Sequence, residues 1–351
     1  MLVETTLGEV PLREMAAQAA AIERIGFDGI AQAELRHDPF LPLALAAPAT
    51  RRARLATSVA IAFPRSPTAV AYTARDLQDL SEGRFVLGLG TQVKPHIERR
   101  FATVWESPGP KLRDYIQAMR AVWDTWQHGA PLNYQGEFYK LSLMTPEFSP
   151  APSAYPQPPV QIAAVNPYNI RLAGEICDGL RVHPFSTPSY TREVIWPNVR
   201  KGAARAGRSL AGFEMVGGGF IATGPDEAAV RKAREDARYR IAFYASTPSY
   251  LPVLEHHGWE ALGGELRALT RQGRWDDMAA LIPDEMLDAF CVAGTYDTIG
   301  ERARAVYAGL VDALSFPLPR DLDAPDDRYL RALAGIKAIP PSSEDLKTGT
   351  V

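Results

Sequence analysis

Three histidines follow short apolar segments of this chain and could exchange a proton near neutral pH. They are His37, His96 and His183. Histidine at such a position could act as a general acid or a general base. We predict that His37 and His183 are catalytic, and that at least one of the three only makes a structural hydrogen bond within its loop.

Other polar side chains follow the same apolar segments, namely Glu34, Thr91, Gln92, Asn166 and Asn169. The cations Lys94, Arg99 and Arg100 follow Gln92 in the same segment. They form either part of a site or a solvated loop face. Polar residues grouped in this way are expected where parallel strands end together.

No spacing of histidine or cysteine residues predicts a metal site. The patterns H-E-x-x-H, H-x-H and C-x-x-C are absent from the sequence. Cys177 and Cys291 are the only cysteines, and both lie in apolar surroundings typical of buried free thiols. We therefore expect chemistry without a protein-bound metal.

A strand–helix–strand unit at residues 55–92 would position several of these side chains. Residues 55–61 and 85–89 are apolar runs typical of buried strands. Between them, apolar residues recur at helical spacing up to Leu80, and Gly83 provides a helix end. Such a unit makes the two strands parallel, with a right-handed connection.

The alternation continues along the chain and predicts a closed (β/α)8 TIM barrel. The predicted strands are residues 2–7, 29–33, 55–61, 85–89, 160–164, 179–182, 213–222 and 312–316. Insertions at about 129–158 and 245–292 follow strands four and seven of a single domain, 1–351. A doubly wound sheet is the alternative, but no G-x-G-x-x-G fingerprint follows strand one.

Composition narrows the choice of partners. The chain has 351 residues, a net charge of −3 and 46% hydrophobic residues. It lacks the basic character of nucleic-acid-binding proteins. It has no apolar run of about 18 residues that could span a membrane, and no N-terminal signal segment. We therefore expect a cytoplasmic protein with no nucleic-acid or membrane partner.

Five ordered motifs resemble the bacterial luciferase-like superfamily. They are GFDGIAQAE at 26–34, RLATSV at 54–59, LSEGRFVLGLGTQ at 80–92, AGEICDGL at 173–180 and AGTYDTIGERARAVYAGLVDALSF at 293–316. The segment GTQVKPHIERRF at 90–101 most resembles the branch that uses the deazaflavin coenzyme F420. The resemblance covers nearly the whole chain.

This resemblance implies that a flavin or deazaflavin lies across the C-terminal mouth of the barrel. It also implies a cis peptide bond between Ser58 and Val59, a phosphate bound by the loop at 165–169, and His183 facing the substrate. The cofactor-binding residues would be Glu34, Ser58, Val59, Ile61, Thr91, Gln92, His96, Val165, Asn166, Tyr168 and Asn169.

Two positions depart from the relatives that oxidise glucose 6-phosphate. Those relatives place a histidine after the acidic residue of strand two, where this chain has Leu35. They also carry a catalytic glutamate after strand four, where this chain has Val93. We therefore exclude sugar-phosphate oxidation by that mechanism.

The predicted function is hydride transfer between bound coenzyme F420 and a small, apolar organic substrate. The alternative is an FMN-dependent monooxygenase of the two-component type. A second alternative is a flavin-binding barrel without turnover. We expect a homodimer, with a reductase supplying reduced cofactor as a further partner.

Overall fold

The computed structural model describes residues 1–349, which contain thirteen strands. They are β1 (Leu2–Thr5), β2 (Gly29–Gln32), β3 (Arg54–Thr57), β4 (Ala60–Ile61), β5 (Phe85–Gly90), β6 (Tyr134–Gln135), β7 (Lys140–Leu141), β8 (Val160–Ala164), β9 (Gly179–Val182), β10 (Glu214–Val216), β11 (Phe220–Gly224), β12 (Cys291–Thr295) and β13 (Ala313–Ser315).

Sixteen α-helices lie in the same part of the chain. They are α1 (Met15–Ile25), α2 (Phe40–Ala49), α3 (Pro67–Leu80), α4 (Lys94–Arg99), α5 (Pro108–His128), α6 (Pro167–Ile176), α7 (Pro188–Tyr190), α8 (Trp196–Arg205), α9 (Glu227–Ala245), α10 (Leu251–His257), α11 (Glu260–Arg271), α12 (Trp275–Met278), α13 (Asp284–Phe290), α14 (Ile299–Tyr307), α15 (Asp327–Lys337) and α16 (Glu344–Thr348). A π-helical turn, Thr191–Ile195, joins α7 to α8.

The strands form a closed parallel barrel, as the sequence predicts. The order is β3-β2-β1-β13-β10-β9-β8-β5-β4, and β3 also pairs with β5, which closes the sheet. Because β3 and β4 are two parts of one predicted strand, the barrel has eight strand positions. Ser66 begins α3 as an N-cap, since its side chain accepts a hydrogen bond from the Ala69 amide.

Chain contacts divide the protein into two compact units. Unit 1 consists of Met1–Thr5, Arg24–Asp28 and the chain from Ala163 onward. Within it, β1 pairs with β13, β13 with β10, and β10 with β9, all in parallel. Unit 2 consists of Thr6–Glu23 and Gly29–Ile162. Within it, β5 pairs in parallel with β3, β4 and β8.

The predicted seventh strand, 213–222, is wrong in its extent. The barrel strand β10 ends at Val216, and the glycines that follow lead into β11, which pairs with β12 in a separate two-stranded sheet. Gly219 is needed at this crossing, because a Cβ there would lie 2.2 Å from the Phe290 carbonyl oxygen.

The first insertion carries a β-hairpin of β6 and β7, and the second carries α10 to α13. No helix within residues 1–349 is both long enough and apolar enough to cross a membrane.

Candidate active site

The backbone between β3 and β4 turns inside unit 2 at Ser58 and Val59. The peptide bond that joins them is cis, which confirms the prediction from the resemblance. The Ser58 amide donates to the Gln32 carbonyl at 2.7 Å. Val59 packs against Gly90 so closely that a Cβ on Gly90 would lie 2.6 Å from Val59 Cγ2. A glycine at the end of β5 is therefore required by the position of Val59.

Glu34 holds the chain that follows this turn. Its buried carboxylate accepts two hydrogen bonds of 2.8 Å at Oε2, from the Ile61 amide and from Arg65 Nη1. Arg65 Nη1 also donates to the Ile61 carbonyl at 3.0 Å. Both polar groups of the Ile61 backbone are thus fixed by one ion pair.

Arg65 extends this network to Asp38, whose Oδ2 lies 2.7 Å from Arg65 Nη2. Burial by itself would lower the pKa of Arg65, but its hydrogen bonds and charge pairing with Glu34 and Asp38 raise it overall. The guanidinium therefore stays charged. Sequence reasoning missed Arg65, although a single cation between Pro64 and Pro67 in the loop after strand three was a usable signal.

Thr91 and Gln92 follow β5 directly. Gln92 adopts the left-handed conformation with φ of 59°, which is uncommon for a residue other than glycine. Its side-chain oxygen accepts from the Val93 amide at 3.0 Å, and the Thr91 hydroxyl donates to the Gln92 carbonyl at 3.1 Å. These local bonds stabilise the sharp turn from β5 into α4.

The two predicted histidines of unit 2 take no part in the hydrogen bonds of the Glu34–Arg65 network. His96 is exposed on α4, and His37 is half-buried in the loop after β2. Within residues 1–349 neither imidazole makes a hydrogen bond. The cations Lys94, Arg99 and Arg100 are exposed on and just after α4, with Lys94 Nζ 3.8 Å from Glu98.

In unit 1 the predicted phosphate loop forms the start of α6. Asn166 is the N-cap but makes no side-chain capping bond, and Pro167 occupies the first turn. The first amides of a helix have no partner within it, so they are available to an anion. Among the described residues Asn169 Oδ1 is buried without a partner. The Tyr190 hydroxyl donates to the Val165 carbonyl at 3.0 Å, which fixes the entry to the helix.

His183 follows β9 in unit 1, and both of its ring nitrogens are hydrogen-bonded. Nδ1 accepts from the Phe185 amide at 3.0 Å, and Nε2 lies 3.0 Å from the Tyr250 hydroxyl. Burial lowers the pKa of His183 to about 4. The ring is therefore neutral at pH 7.

His256 and His257, in the second insertion, contact α7 and its N-cap Thr187. Nε2 of His257 lies 2.8 Å from Thr187 Oγ1, and Nε2 of His256 lies 3.2 Å from Ser189 Oγ. Burial and the neighbouring His256 lower the pKa of His257. The described residues contain no group of three or more histidine, cysteine or acidic side chains placed to hold a metal ion.

Comparison with known proteins agrees with the fold and with the motifs. The model of the luciferase-like monooxygenase family matches residues 2–313. The chain belongs to this family.

Two relatives from Mycobacterium tuberculosis are similar over most of this luciferase-like chain. One, an uncharacterised protein, is 47% identical over 87% of this chain and 90% of its own length. The other, named as a candidate coenzyme F420-dependent oxidoreductase, is 31% identical over 90% of this chain and 95% of its own length.

Solved structures show the same fold. The coenzyme F420-dependent tetrahydromethanopterin reductase from Methanopyrus kandleri superposes with a TM-score of 0.74 at 21% identity, covering 96% of this chain and 97% of that one. The oxygenating constituent of 3,6-diketocamphane monooxygenase from Pseudomonas putida, in complex with FMN, superposes with a TM-score of 0.66 at 15% identity. The superposition covers 98% of this chain and 100% of that one. Proteins with this fold thus include a coenzyme F420-dependent reductase and a monooxygenase constituent that binds FMN.

We expect Arg65→Met to lower the free energy of unfolding by about 2–3 kcal/mol. The substitution leaves the buried Glu34 carboxylate without its cation, which is costly even for a partly exposed pair. Arg36→Met is the matched control, because its ion pair with Glu9 has side chains 75% and 71% exposed and should contribute below about 1 kcal/mol. Urea unfolding measures both, and equal losses would contradict the structural role of Arg65.

We also expect a pH-dependent difference between the native protein and His183→Gln. The pKa of His183 falls from 6.5 to about 4 on folding, so the unfolded chain binds the proton first as the pH drops below 6.5. Relative to the variant, the native protein should lose about 2 kcal/mol of stability between pH 7 and pH 4.5. His128→Gln, at an exposed position, is the control. A difference that stays constant with pH would show that His183 is not desolvated.

Proposed function

We propose that this luciferase-like protein is a coenzyme F420-dependent oxidoreductase, acting on a small apolar organic molecule. The observation that carries the choice of F420 over FMN is the set of three exposed cations at α4, Lys94, Arg99 and Arg100. The deazaflavin has a polyglutamate tail with several negative charges, and such a surface attracts it. The relative named as a candidate F420-dependent oxidoreductase supports the same choice.

The residues of unit 2 fit a planar, hydrogen-bonding ring system. Val59 offers an apolar contact beside Gly90, while the Glu34–Arg65 pair keeps the Ile61 backbone in place. Backbone groups held in this way can bind without rearrangement. The proposed ring-binding residues of unit 2 are Glu34, Ser58, Val59, Ile61, Thr91, Gln92 and His96.

The start of α6 in unit 1 fits a phosphate group. Its N-cap side chain makes no capping bond, and its first amides are free of helical partners. A helix N-terminus favours negative charge. We therefore propose that Val165, Asn166, Tyr168 and Asn169 bind phosphate, chiefly through backbone amides.

A bound deazaflavin would supply the hydride chemistry. The protein would bind and orient the cofactor and would exclude water. An apolar substrate is supported by the half-buried aromatic rings of unit 1 that pack against His183. The ring centroids of Tyr244 and Tyr250 lie 4.6 and 4.5 Å from the ring centroid of His183. His37 remains our proposal for a proton-transferring residue, because burial disfavours the protonated form of His183.

Equilibrium titration of the purified protein with the deazaflavin and with FMN tests this proposal. We expect tighter binding of the deazaflavin, weakened by added salt. Replacing Lys94, Arg99 and Arg100 together by glutamine should weaken it about tenfold at low ionic strength, at about 0.5 kcal/mol per exposed charge. FMN affinity should change much less, because FMN lacks the tail.

The control replaces three exposed cations elsewhere, Arg13, Arg231 and Lys232, by glutamine. This variant has the same net charge as the α4 variant and should bind the deazaflavin like the native protein. Micromolar binding of FMN without binding of the deazaflavin would favour the monooxygenase instead. Binding of either cofactor with no reaction of its reduced form would favour a barrel without turnover.

A further inference from the structure

Two aromatic side chains of unit 1, Phe185 and Tyr244, pack around a hydrogen-bonded pair, His183 and Tyr250. We call His183, Phe185, Tyr244 and Tyr250 the His183 cluster. The His183 ring meets Tyr244 edge-on at 4.6 Å and lies tilted against Tyr250 at 4.5 Å. Phe185 meets Tyr250 edge-on at 5.6 Å. The cluster is therefore an apolar group of rings with a polar centre.

The position of the proton on His183 follows from its contacts. The Phe185 amide can only donate, so Nδ1 of His183 must be its acceptor and carries no proton. The ring is neutral, so its proton lies on Nε2. Nε2 then donates to the Tyr250 hydroxyl oxygen at 3.0 Å.

This arrangement leaves the hydroxyl proton of Tyr250 without an acceptor. The hydroxyl makes one hydrogen bond within residues 1–349, and in that bond its oxygen accepts. Burial also raises the pKa of Tyr250, so the proton stays in place at neutral pH. The hydroxyl proton of this half-buried side chain is therefore available to an acceptor on a ligand.

We propose that Tyr250 donates its hydroxyl hydrogen bond to the carbonyl oxygen of an apolar aldehyde or ketone, and that His183 is a positioning residue that keeps this proton available. The substrate class follows from the cluster, since neutral hydroxyl donors among aromatic rings match an apolar molecule with a neutral acceptor, and of the two hydroxyls that of Tyr250 is the one oriented by His183. Reduction of the carbonyl compound rests on the proposed function. Its binding to Tyr250 does not. Donation to an oxygen strengthens as that oxygen gains negative charge, which would favour reduction of the carbonyl.

Binding of cinnamaldehyde to the cofactor-free protein tests the role of Tyr250. A hydrogen bond from Tyr250 should move the carbonyl stretching band of the bound aldehyde to lower wavenumber than in an apolar solvent. Tyr250→Phe should abolish this shift and weaken binding about fivefold, the effect of one lost neutral hydrogen bond. Tyr244→Phe removes a hydroxyl from the same cluster and should leave the shift in place, with less than a twofold change in affinity.

Two amide substitutions test the role of His183. Glutamine is long enough to place its amide nitrogen near the position of Nε2, so His183→Gln should retain the shift. Asparagine can still accept from the Phe185 amide but cannot reach Tyr250, so His183→Asn should reduce the shift. If His183 had a purely structural role, the Gln and Asn variants would give the same carbonyl spectrum once both are shown to fold.

The proposal is overturned if cinnamaldehyde does not bind, if its carbonyl band is unshifted in the native protein, or if Tyr250→Phe retains the shift. None of these outcomes bears on cofactor choice. Failure of the deazaflavin to bind, with the carbonyl shift intact, would instead overturn the proposed function and leave the assignment of Tyr250 standing.

Discussion

The buried ion pair between Glu34 and Arg65 is the interaction on which the candidate site in unit 2 depends. One carboxylate oxygen and one guanidinium nitrogen together satisfy both the amide and the carbonyl of Ile61. These bonds fix β4 after the turn at Ser58 and Val59, and Val59 in turn requires glycine at position 90. An acidic residue expected to contact the cofactor thus has a clear structural role in holding the backbone.

In unit 1, hydrogen bonds between neutral groups hold the backbone and the His183 ring in place. The Tyr190 hydroxyl fixes the Val165 carbonyl before α6, and the Phe185 amide selects the tautomer of His183. Desolvation keeps that histidine uncharged at pH 7. Its hydrogen-bonding direction therefore does not change over the physiological pH range, unlike that of an exposed histidine.

The barrel was predictable because its strands are short apolar runs between clear helix ends, and the bounds of β8 and β9 agree with the sequence patterns. The cis bond at Ser58 came from family resemblance, since nothing local predicts it. The partner of Glu34 could not be predicted, because Arg65 lies 31 residues away and only the fold brings them together. Helix α8 was not predicted, although Trp196, Val199 and Ala203 are buried at helical spacing.

A crystal structure of the complex with coenzyme F420 tests the central claim most directly, namely that the Glu34–Arg65 pair holds the backbone that binds the cofactor. The account predicts the deazaflavin ring in van der Waals contact with Val59, with Glu34 still bonded to Arg65 and to the Ile61 amide. A ring bound away from Val59, or a Glu34 carboxylate that leaves Arg65 to contact the cofactor, would contradict it.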